Sequence, residues 1–90
     1  MTTSGDDERL GNVLQALAVV RAFAPEEAHQ HERRIRFAAA RVDELRRPLG
    51  ATPVRMDRIL LAADILGQYL RRAEMFLDLI SSEILVRRVA

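Results

Sequence analysis

Between Thr52 and about Val89 the apolar residues Ile59, Ala62, Leu66, Tyr69, Ala73, Phe76, Ile80 and Ile84 recur in steps of three and four. That spacing holds one stripe of a helix towards one partner. Thr52 followed by Pro53 is a helix start signal, because the proline ring presets φ and its missing N–H is unneeded in the first turn. The pattern predicts one helix over 53–88. A second apolar row, Leu61, Ile65, Met75 and Leu79, predicts that this helix is covered from more than one side. At 1.5 Å per residue the helix would be a rod of ~54 Å, whereas a compact chain of this length has a radius of gyration near ~12 Å. The rod must overhang its own domain, and the overhang, Met75 to Val86, is strongly apolar.

Two shorter helices precede it. Leu10, Val13, Leu14, Leu17 and Val20 share one face, extended by Val19 and Phe23, which predicts a helix over about 6–23 behind a flexible segment 1–5. Asp6, Asp7 and Glu8 fall in its opening turn, where acids complement the helix dipole, and Ser4 with Asp7 fits a loose capping box. Pro25 disfavours helical geometry at Ala24 and opens a second helix over 25–47, with Glu26 and Glu27 in its first turn. Ala28, His31, Ile35, Ala38, Val42 and Leu45 form the main apolar face, and Phe37 projects on the opposite side. Pro48, Gly50 and Pro53 punctuate the turn into the third helix, so helices two and three should pair antiparallel. Gly67, inside the third helix, suggests a close helix crossing.

The expected fold is therefore all-α: a helical hairpin with a third, N-terminal helix, one domain over 6–90, assembling into a dimeric bundle. Helix one either folds over the hairpin or lies against the apolar tail. A chain of 90 residues buries a small core, and self-association is a common remedy. The expected interface between copies is Leu66, Tyr69, Ala73, Phe76, Leu77, Ile80 and Ile84, so Ile80→Asp should separate the chains or unfold them.

Charge adds a second surface. The net charge of +1 conceals an uneven distribution: two arginines against six acids in 1–32, eight against three in 33–58, and four against four in 59–90. Arg33, Arg41, Arg46, Arg47, Arg55 and Arg58, together with Phe37, read first as a solvated face; as a binding surface they would suit an acidic protein or, less favoured, nucleic acid. Phe37 is the one aromatic residue among these arginines along the chain, short of the repeated interleaving that base stacking uses. All the basic residues are arginine.

Little else suggests chemistry. The absence of cysteine excludes disulfides and thiol catalysis, and no phosphate loop or nucleophile triad is visible. No run of apolar residues is long enough to span a membrane and the N-terminus is acidic, so a cytoplasmic, membrane-free location is expected. Glu26-x-x-His29, with Glu74 at similar depth, has metal-site spacing, yet it projects away from the apolar face. Glu27 and His31, four residues apart, place a carboxylate where it could hold the imidazole or raise its pKa, with His31 at the edge of the core. Asp64 should face water or pair with an arginine such as Arg41. No metal or cofactor is expected, and no catalytic constellation supports an enzyme.

Ala38-Ala39 with Val42-Asp43-Glu44, followed by Arg58-Ile59-Leu60-Leu61-Ala62-Ala63, resembles the helical core of ZapA-type cell-division proteins. The resemblance covers fewer than half the residues, and it implies dimerisation through a long coiled-coil helix and a role in bundling division filaments. The N-terminal β-hairpin of that family has no counterpart here, and Asp64 stands where an apolar residue would be expected. The expected function is a non-catalytic oligomerisation or scaffold module built on the third helix. The alternatives are a small nucleic-acid-binding regulator using 33–58 and a ZapA-like accessory protein.

Overall fold

The computed structural model describes residues 3–47 and 53–89, with side chains over 7–47 and 55–87. Three helices account for nearly all of it: α1 (Thr3–Val20), α2 (Pro25–Arg46) and α3 (Pro53–Val89). There is no strand among the described residues. The predicted turn residues Pro48, Gly50 and Thr52, and the segment 1–2, lie outside the described residues.

The two ends of α1 each differ from the expected ones by three residues, and the C-terminal ends of α2 and α3 by one. Helix α1 starts at Thr3, so Ser4 lies within it and is not its cap. It also stops at Val20 rather than at Phe23. The Val20 carbonyl accepts both the Phe23 N–H (2.9 Å) and the Ala24 N–H (3.0 Å), closing a turn over 21–23. The proline that follows explains this early stop, because Ala24 is held outside helical geometry at φ −142° and ψ 71°. The Ala24 carbonyl then accepts the Ala28 N–H at 3.0 Å, and α2 begins.

α2 and α3 run antiparallel. Near the hairpin end, Arg55 Nε donates to the Leu45 carbonyl at 3.2 Å, satisfying one of the last α2 carbonyls that no helical N–H reaches. At the other end the His31 ring stacks on Phe76, centroids 4.9 Å apart. Helix α1 lies in the groove of the hairpin, antiparallel to α2, and packs on both helices. Its Val13, Leu17 and Val20 join Ala28 and Ile35 of α2 and Leu70, Ala73 and Phe76 of α3 in one core. Leu10, Leu14, Leu66, Tyr69, Leu77 and Ile80 pack around this centre. Of the two arrangements open to helix one, the three-helix bundle is the one formed.

The bundle is short and α3 is long. At 1.5 Å per residue its 37 residues span ~55 Å, which matches the long dimension of the molecule, 57 × 25 × 16 Å. The radius of gyration, 15.7 Å, exceeds the compact value accordingly. The core reaches along α3 as far as Ile80, one turn beyond Phe76. Gly67 is not a close-crossing point: a Cβ added there would meet nothing within 4 Å.

Candidate self-association surface

The inward side of α3 is occupied within a single chain. Ala73 and Phe76 are buried, while Leu66, Tyr69, Leu77 and Ile80 are half-buried against the same core. Six of the seven residues expected at an interface between copies are therefore placed beneath α1 and α2. The physical reason is the fold-back of α1, whose apolar face takes the place assigned to a second chain. Ile84 is half-buried as well.

What the bundle leaves open is the opposite stripe. Leu61, Ile65, Gln68, Arg72, Met75, Leu79, Ser82 and Val86 follow one another at alternating steps of four and three, the spacing of a coiled-coil seam. All eight are exposed. Leu61 is 62% accessible, Met75 66% and Leu79 67%, in a helix whose other side is packed. The sequence contained this signal in the second apolar row. Recognising the seam needed Gln68, Arg72 and Ser82 to be read as polar members of the same heptads, and Val86 as its continuation.

The stripe adjoins an open groove of about 390 Å³ between α2 and α3, floored by Ala38, Ala62 and Tyr69 and flanked by Phe37, Arg41 and Arg58. Phe37 is 77% accessible, the most exposed large apolar side chain on the described surface. On its other side, Arg33, Arg34 and Arg36 surround a second recess shared with Phe37 and Tyr69. Two aromatic rings thus lie beside arginines, which linear spacing could not show because Tyr69 comes from a different helix.

The predicted arginine surface is brought together only in part. Arg33, Arg41 and Arg58 follow the α2/α3 groove with Phe37. Arg46 lines a separate recess with Asp7, Arg9 and Asp43 at the start of α1, and Arg55 is turned to the α2 carbonyl end. Arg47 is exposed at the α2 C-cap. Arg41 Nη1 lies 3.4 Å from Glu44, and Arg36 donates to Glu32 at 3.0 Å.

The remaining candidates resolve individually. Arg9 of α1 grips Glu74 of α3 through one edge of its guanidinium with two donors: Nε donates to Oε2 at 3.1 Å and Nη2 to Oε1. That donor set holds the Glu74 carboxyl below its ordinary pKa. Sequence spacing gave no hint of this pair, since its members are 65 positions apart. Glu26 and His29 are exposed, and no group of three His, Cys, Asp or Glu side chains among the described residues could hold a metal ion. His31 shifts opposite to what Glu27 alone would cause. Burial of its ring, aided by nearby Arg34, lowers its pKa and outweighs the upward pull of Glu27. Asp64 faces water and accepts a hydrogen bond from Gln68 Nε2 at 3.0 Å, so it does not pair with Arg41.

No described helix is long and apolar enough to cross a membrane. Comparison of the chain with known protein families, with curated proteins and with solved structures returns no match.

Proposed function

We propose that this protein is a non-catalytic self-association module in which α3 presents its outward heptad stripe to another copy of the chain. The observation that carries the reading is the stripe itself: a coiled-coil-spaced row running from Leu61 to Val86, apolar at five of its eight positions and exposed on a helix whose opposite face already supplies the core. Apolar area arranged along one line gains most by pairing with a similar line. A three-helix core of this size is also only modestly stabilised by itself. The long-helix dimer implied by the resemblance to ZapA-type proteins is compatible with this surface.

Sedimentation equilibrium on the Met75→Glu/Leu79→Glu double variant tests it. Both side chains are exposed, so helical content should persist while the assembled mass falls to that of a single 10.2 kDa chain. A variant that sediments like the wild type would remove α3's outward face from consideration.

A second reading is supported by the recess where Arg33, Arg34 and Arg36 meet Phe37 and Tyr69. Arginines beside one exposed ring, Phe37, and one half-buried ring, Tyr69, suit a single-stranded nucleic acid, through phosphate attraction and base stacking. Binding of a short oligonucleotide that weakens steeply with salt, and is lost in Arg33→Ala/Arg34→Ala, would move this reading ahead of the first.

A further inference from the structure

Resting on the proposed self-association, we infer that the second copy of α3 lies antiparallel to the first, with the two-fold axis at the level of Leu70. The stripe has an internal order that favours this arrangement. Between Leu61 and Leu79 its apolar members form two blocks, Leu61 with Ile65 and Met75 with Leu79, on either side of a polar centre made of Gln68 and Arg72. An antiparallel pair in this register sets Leu61 against the partner's Leu79 and Ile65 against the partner's Met75. The polar centres then meet each other, with Gln68 opposite the partner's Arg72.

Charge separates this from the parallel alternative. A parallel, in-register pair would bring Arg72 against the partner's Arg72 and Arg58 against the partner's Arg58 along a seam that excludes water, where like charges are most costly. In the antiparallel pair Arg72 faces Gln68 and, one turn away, Asp64 of the other copy. Within one chain Asp64 already accepts a hydrogen bond from Gln68 Nε2 at 3.0 Å. The Asp64–Gln68 unit is thus a carboxylate-bearing acceptor set, repeated twice by the symmetry and matched each time to one guanidinium. A polar contact of this kind within an apolar seam fixes register and orientation, because any slip would leave the guanidinium against leucine or methionine. The like charges this register leaves near each other, Arg71 across the axis and Asp64 with the partner's Asp78, belong to exposed residues on the rim, where water and salt screen them. Phe37 borders the groove beside Ile65, so the same register directs the partner's Met75 towards an exposed ring, a favourable sulfur–aromatic pairing.

The chain has no cysteine, which makes the arrangement directly testable. In the inferred pair residue 61 meets residue 79 of the other copy, whereas the two copies of residue 61 are ~27 Å apart along the axis, as are the two copies of residue 79. Leu61→Cys, Leu79→Cys and the double variant are oxidised mildly and run without reductant, with the mass of each measured before oxidation. The expected result is a covalent dimer from Leu61→Cys/Leu79→Cys and only traces from either single variant. Efficient cross-linking of either single variant would overturn the antiparallel order. No cross-link in any variant, in a protein whose mass is still that of a dimer, would overturn the register while leaving self-association standing. A single-chain mass before oxidation would instead refute the self-association reading, and this inference with it.

Discussion

The imidazole of His31 stacks on the ring of Phe76 with centroids 4.9 Å apart and planes inclined by 28°. The contact closes the end of the α2/α3 hairpin and takes His31 partly out of water, which lowers its pKa from the ordinary 6.5, with Arg34 adding to the shift and Glu27 opposing it. The unfolded chain therefore binds a proton more readily at this position than the native chain does. Above pH 6.5 both states hold a neutral ring and the stacked contact is at full strength; as pH falls from there to the lowered native pKa, stability is lost. Thermal melts between about pH 7 and pH 5 should show a declining midpoint, and His31→Gln should flatten that decline. An equal slope in the variant would assign the pH dependence to other groups.

The Arg9–Glu74 clamp acts in a lower window. Glu74 has its pKa lowered chiefly by the hydrogen bond from Arg9, so the contribution is present above its ordinary 4.5 and is lost as pH falls through the native value. Both side chains are more than a third exposed, which limits the pair to about 0.5–1 kcal/mol despite its two-point geometry. Glu74→Gln should cost no more than that near neutral pH in chemical denaturation. A loss of several kcal/mol would mean that α1 depends on this clamp rather than on Val13, Leu17 and Val20.

Gly67 stands in the middle of α3 with space where a side chain would go. Replacing it with alanine removes backbone freedom from the unfolded chain without a clash, and should stabilise the protein by about 0.5–1 kcal/mol. For a domain of this size that is a rise in Tm of several degrees, on the order of 4–8 °C per kcal/mol. The assembled mass should not change, because Gly67 lies off the outward stripe. A destabilised variant would show that something packs closely on this position after all.

Ile80 and Leu79 are neighbours with opposite surroundings. Ile80 packs against the three-helix core, whereas Leu79 is exposed. A carboxylate at position 80 would be forced into an apolar contact at a cost of about 3–5 kcal/mol, so Ile80→Asp should unfold the chain or leave it barely folded. Leu79→Glu should alter the stability of a single chain by only about 0.5 kcal/mol and should instead reduce the assembled mass. Circular dichroism melts of the two variants, read beside their masses, separate the two roles. Equal melting losses would contradict the division of α3 into an inner and an outer face.

Much of the fold could be read along the chain, because α2 and α3 carry their own punctuation. Pro25 and Pro53 mark the first residue of each helix, and the Ile35, Ala38 and Val42 face of α2 is the buried one. The role of the inner α3 stripe was less legible. Its periodicity shows that Ala73 and Phe76 face a partner, but a helix folded back from the same chain and a helix from another copy satisfy that periodicity equally well. Only packing, here that of Val13, Leu17 and Val20, decides between them. The Arg9–Glu74 pair and the meeting of Tyr69 with the α2 arginines depend on which helices become neighbours, and no local pattern encodes that. The direction of the His31 shift was missed for a related reason: Glu27 was visible four residues away, while the ring of Phe76 that helps bury the imidazole comes from another helix.

The central claim is that the outward stripe of α3 joins copies of this chain. Light scattering on the wild-type protein across a dilution series tests it most directly. The predicted result is a mass of about twice the 10.2 kDa chain that declines towards that of one chain as concentration falls below the dissociation constant. A folded protein with the mass of one chain at every concentration would contradict the claim, and would leave the exposed Leu61-to-Val86 row to be explained by a different partner.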